Sequence, residues 1–134
     1  MALLVGALLA FLVGMLATVS GMDLDRAFYP TVTMVVASLY ALFAVMGAST
    51  RVLVLESLVG AVFIAVAVSG FRSSLWLVVV ALAGHGVFDL GHGRLLSNPG
   101  VPSWWPAFCL TYDVVASGYL AWLLWSGRVR ALKV

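Results

Sequence analysis

Five ionisable side chains in an otherwise apolar stretch of chain are the residues with chemistry to offer: Glu56, His85, Asp89, His92 and Asp113. His85, Asp89 and His92 follow one another at spacings of four and three. On a helix turning by about 100° per residue they lie within about 60° of one another on one face. Two imidazoles and a carboxylate on one face, with two further acids, form the donor set of a divalent metal site, zinc first and iron second. Copper(I) would need more sulfur than Cys109 and a few dispersed methionines supply. On this reading His85, Asp89 and His92 ligate the metal, and Asp113 or Glu56 completes the set. The remaining carboxylate orients an imidazole or acts as a base, so Glu56 and Asp113 are also the candidate catalytic residues. A metal-bound water would be the nucleophile. Two rival readings use the same residues: a metal-free path for protons or cations, and a structural network of acid–imidazole hydrogen bonds.

The elements that must position these residues are membrane spans. Of the 134 residues, 64% are hydrophobic and 9% charged, more apolar surface than a soluble domain of this length can hide. A span needs about 20 apolar residues. Reading between charges predicts an all-α, polytopic bundle of five transmembrane helices in a single domain, over residues 2–20, 31–48, 52–71, 75–93 and 107–126. The first twenty residues lack a positive n-region and a clear cleavage site, so they are expected to be a retained span rather than a signal peptide. Asp23, Asp25 and Arg26 are expected in a solvated cytoplasmic turn. The longest connection, Arg94 to Pro106, holds the turn formers Asn98-Pro99-Gly100 and Pro102.

Basic residues set the orientation. Arg51 and Arg94 fall on one side, and Arg26, Arg72, Arg128, Arg130 and Lys133 on the other. The N-terminus is therefore expected outside and the C-terminus in the cytoplasm, with Trp76, Trp122 and Trp125 near the inner interface and Trp104 and Trp105 near the outer. Counting about 1.5 Å of rise per residue from the outer helix ends puts Glu56 and Asp89 about 7–8 Å deep, Asp113 about 10 Å and His85 about 13 Å. Three helices thus carry acids or imidazoles to similar depth. Charge is costly in hydrocarbon, so these side chains are expected to face the bundle interior and to meet one another. Gly60 and Ala67 continue the face of Glu56, while Cys109 and Ser117 share that of Asp113. Ser38 and Tyr40 are weaker lining candidates. Cys109 alone reads as a small buried hydrophobe.

The pattern His85-Gly-Val-Phe-Asp89-Leu-Gly-His92-Gly93, followed by Asn98-Pro99, Pro102, Phe108-Cys109 and Asp113 with Glu56 upstream, resembles a family of small bacterial multi-helix membrane proteins defined by a domain of unknown function. The resemblance covers residues 52–125 and implies a shared polar site and a place in the bacterial inner membrane. Relatives often carry two adjacent histidines where this chain has His92-Gly93, a departure that counts against a dinuclear centre. A looser similarity is to membrane zinc hydrolases of the ceramidase and adiponectin-receptor type, which have seven spans and three histidine ligands against five and two here.

Function is thereby narrowed to three classes. The first is a metal-binding membrane protein acting as a hydrolase on a lipid-like substrate. The second is a small proton- or cation-coupled transporter, which with five helices would need a homo-oligomer. The third is an accessory subunit of a larger membrane complex. The basic residues form no cluster with interleaved aromatics, so no nucleic-acid partner is expected. There is no Gly-rich phosphate loop.

Overall fold

The structure is a computed structural model and describes residues 1–132; Lys133, counted above for orientation, lies outside the described residues. Among them, five helices are long and apolar enough to cross a membrane: α1 (Ala2–Ser20), α2 (Phe28–Met46), α3 (Thr50–Arg72), α4 (Trp76–Leu95) and α5 (Trp105–Trp125). At about 1.5 Å per residue each is roughly as long as a bilayer core is thick. The fold is all-α, as the hydropathy pattern requires, and suits a multi-pass membrane protein. The helix boundaries have local causes. Gly21, at φ 79°, ends α1. Pro30 sits in the first turn of α2 and Pro106 in that of α5, where a missing N–H costs nothing. The Ser49 hydroxyl caps α3 by accepting from Val52 N. Several boundaries differ from the sequence expectation: α2 starts at Phe28, before its proline, α3 at Thr50 and α5 at Trp105, and α4 runs past Arg94 to Leu95.

The bundle is apolar outside and encloses ionisable residues. Large aliphatic side chains cover the outer surface, including Leu4, Leu16, Leu58, Val80 and Leu90, whereas Glu56, His85, Asp89, His92 and Asp113 are all buried. Only lipid makes that distribution favourable. Packing is most extensive in the pairs α1–α5, α4–α5 and α2–α3, and α4 also contacts α3 and α2. The helix carrying most of the ionisable residues is therefore enclosed by three neighbours. Small residues allow the close approaches. A Cβ on Gly60 would stand 2.7 Å from the Ala37 carbonyl oxygen, so α3 rests directly on α2 just below Glu56. A Cβ on Gly100 would collide with the Phe43 carbonyl oxygen, so the α4–α5 connection lies flat on the end of α2.

The turn after α1 is exposed at Asp25, as expected, but not at Asp23. Asp23 is buried; its carboxylate accepts from Arg128 Nε (2.8 Å) and Thr18 Oγ1 (2.8 Å). Arg128 also donates to the Thr18 carbonyl. Arg26 donates to the carbonyls of Gly70, Phe71 and Ser73, which satisfies the free end of α3, and to those of Arg130 and Ala131. The reason is tertiary: the chain after α5 folds back across this end, and Ala131 O accepts from Leu75 N. Burial pushes the Asp23 carboxyl up, but the hydrogen bonds from Arg128 and Thr18 outweigh it and hold the group below the usual carboxylate range.

Candidate functional site

One face of α4 brings Val78, Ala81, Leu82, His85, Gly86, Asp89 and His92 to the interior. The 4–3 spacing of the last ionisable three therefore does align them. From α5, Asp113 approaches the lower part of this face. Its Oδ2 lies 2.7 Å from His85 Nδ1. Asp89 Oδ2 is 3.6 Å from the same nitrogen, beyond hydrogen-bonding reach. From α2, the Tyr40 hydroxyl donates to Asp89 Oδ1 at 2.6 Å. His85, Asp89 and Asp113 each offer a ligand atom within 4.8 Å of the others, all three residues buried. Asp89 Oδ2 and Asp113 Oδ1 are buried with no hydrogen-bond partner among the described residues. Phe63 stands edge-on to the His85 ring, at 4.9 Å between centroids.

Two turns further along α4, His92 Nε2 lies 2.8 Å from Glu56 Oε1. The same oxygen accepts from Asn98 Nδ2 (3.0 Å), which also donates to the Tyr40 carbonyl (3.1 Å). Asn98 Oδ1 accepts from Gly100 N. A cleft of ≈ 260 Å³ opens above this pair, walled by His92, Asn98, Ser97, Ser103, Pro102 and Pro106.

The structure thus brings His85, Asp89 and Asp113 together and places Glu56 with His92 instead. Glu56 and Asp113 each serve a different imidazole. The sequence expectation of one site gathering all five residues is replaced by two acid–imidazole groups in line. Helix rise explains the division. His85 and His92 are seven residues apart, about 10 Å along the axis, and each ring meets the acid at its own level, Asp113 at 2.7 Å and Glu56 at 2.8 Å. What joins the groups is Tyr40. Its ring stacks on His92, 3.9 Å between centroids at 15°, while its hydroxyl holds Asp89.

Tyr40 and Asn98 are the two participants that sequence reasoning underrated. Tyr40 lies six residues from the end of α2 and Asp89 six from the end of α4, which places both about 9 Å deep. The depth count applied to the acids also picks out this tyrosine. Asn98 gave no such signal, because a turn former before proline has a sufficient local role. A larger groove of ≈ 500 Å³, between Phe28, Thr31, Val35, Val36 and Tyr112, has Asp25 as its one carboxylate and includes none of the five ionisable residues. No family model, curated protein or solved structure matches the chain.

Proposed function

We propose that this is an intramembrane metal-binding protein in which His85, Asp89 and Asp113 hold one divalent cation, zinc in preference to iron. The observation that carries the reading is the pair of unpartnered, buried carboxylate oxygens, Asp89 Oδ2 and Asp113 Oδ1, beside the His85 imidazole. Two carboxylates around one imidazole in a dry interior leave negative charge that needs protons or a cation to balance it. A divalent ion supplies that charge and the missing partners. His85, Asp89 and Asp113 would hold the ion, His85 through the Nδ1 that faces Asp113 Oδ2 at 2.7 Å.

Three protein ligands leave a fourth position open, the arrangement of catalytic zinc sites. That supports hydrolysis of a lipid-like substrate as the reaction class, with Asp113 in the metal shell and Glu56 acting through His92. Membership of the small bacterial membrane family is part of the proposal, supported by the pattern residues Glu56, His85, Asp89, His92, Asn98 and Asp113 all entering one network. So are the bacterial inner membrane and an outward-facing cleft, supported by Arg26, Arg72, Arg128 and Arg130 standing against Arg51 and Arg94.

The deciding experiment is metal analysis of protein purified without added metal. About one equivalent is expected, and it is lost in Asp89→Asn and in Asp113→Asn. Full metal content in both variants would end the reading. A second reading, a proton or cation path in an oligomer, draws on the alternation of acids and imidazoles from Glu56 to Asp113. Proton flux in proteoliposomes without bound metal would favour it.

A further inference from the structure

The Glu56–His92 group calls for a role of its own. One oxygen of its carboxylate is engaged twice: Oε1 accepts from both His92 and Asn98. Glu56 is thus built to orient the imidazole rather than to hold an ion. With Nε2 turned to Glu56, Nδ1 is the ring nitrogen left for a ligand, the carboxylate–imidazole arrangement that prepares a histidine for a metal. His92 also forms part of the cleft wall, and the cleft lining contains no lysine or arginine. A buried glutamate behind an uncharged, polar mouth favours cations over anions.

Tyr40 stands at the junction. One ring face lies on His92 and the hydroxyl occupies Asp89 Oδ1. An ion drawn to His92 therefore meets a side chain that touches both groups, and moving that ring frees an Asp89 oxygen. Relay through His92 spares the cation a passage of apolar interior without a ligand.

We infer that the cleft walled by His92, Asn98 and Ser103 is the entry port for the divalent cation, and that Glu56-oriented His92 captures the ion in transit and passes it across Tyr40 to the His85 site without retaining it. This rests on the metal reading above. Its consequence is kinetic: the port residues set how fast the buried site fills, not how much it holds.

The test uses the full chain in lipid nanodiscs, stripped with chelator and loaded with Co²⁺, whose absorption follows site occupancy. Glu56→Gln and His92→Gln should load about 10-fold more slowly than the parent and reach the same final stoichiometry. A third measurement avoids any folding defect. Ser103→Cys, on the exposed rim of the cleft, is folded first and then coupled to a bulky thiol reagent, leaving the buried Cys109 untouched. Loading should slow about 10-fold on coupling. Parent-like rates in the two glutamine variants, or in the coupled protein, overturn the entry port. Reduced final stoichiometry in His92→Gln also overturns it, since His92 would then be a resident ligand. If the parent takes up no Co²⁺ at all, the failure is that of the metal site itself.

Discussion

Tyr40 shows how one hydroxyl decides the state of a buried acid. Asp89 has one oxygen held by Tyr40 and the other without a partner. Removing the hydroxyl in Tyr40→Phe leaves the stack on His92 in place and strips Asp89 of its remaining donor. Hydrogen bonds between transmembrane helices average well below those to charged groups in water, so a loss of about 1–2 kcal/mol is expected, read by unfolding in mixed micelles. Zinc should restore part of it, because an ion that binds only the folded state stabilises by about 2.7 kcal/mol at a hundredfold excess over its dissociation constant. The same addition should leave Asp89→Asn unchanged. Equal zinc stabilisation of Asp89→Asn and the parent would place the ion elsewhere.

Helix contacts are decided by small residues. Gly60 leaves no room for a Cβ against the Ala37 carbonyl, whereas a Cβ at Gly118 meets nothing within 4 Å. Both lie inside helices. Gly60→Ala should force α2 and α3 apart and cost about 1–3 kcal/mol. Gly118→Ala should be neutral or gain up to about 1 kcal/mol from helix propensity alone. Thermal unfolding of the two variants side by side measures the contrast, and equal shifts would refute the close α2–α3 contact.

At the opposite end, Asp23 ties the α1–α2 turn to the chain beyond α5. Its carboxyl titrates lower in the folded protein than in the unfolded chain. Its contribution is therefore present above the unfolded value of about 3.9 and is lost as pH falls through the folded value. The parent should be more stable than Asp23→Asn at pH 7, and the gap should close below about pH 4. A gap constant across that range would mean that Arg128 does not pair with the ionised acid.

For the whole molecule, the two ends differ in kind. One holds the cleft and the α4–α5 connection; the other is closed by Arg26, Arg128 and the chain that follows α5. If the cleft faces outward, a membrane-impermeant thiol reagent should label Ser103→Cys in intact cells and spare Arg130→Cys until the membrane is opened. The reverse pattern would invert the orientation and with it the direction of ion entry.

The amino-acid sequence alone determined the five apolar helices, because hydropathy is a sum over neighbours along the chain and needs no knowledge of what packs where. It also determined that His85, Asp89 and His92 share a face, since helical periodicity is equally local. Tertiary structure decided which acid each imidazole meets, that Tyr40 links the two groups, that Asn98 turns inward and that Asp23 is buried. Those outcomes depend on how each helix is rotated and how deep it sits against its neighbours, quantities set by close packing at Gly60 and Gly100 and by a terminal segment folding back, none of which leaves a periodic trace.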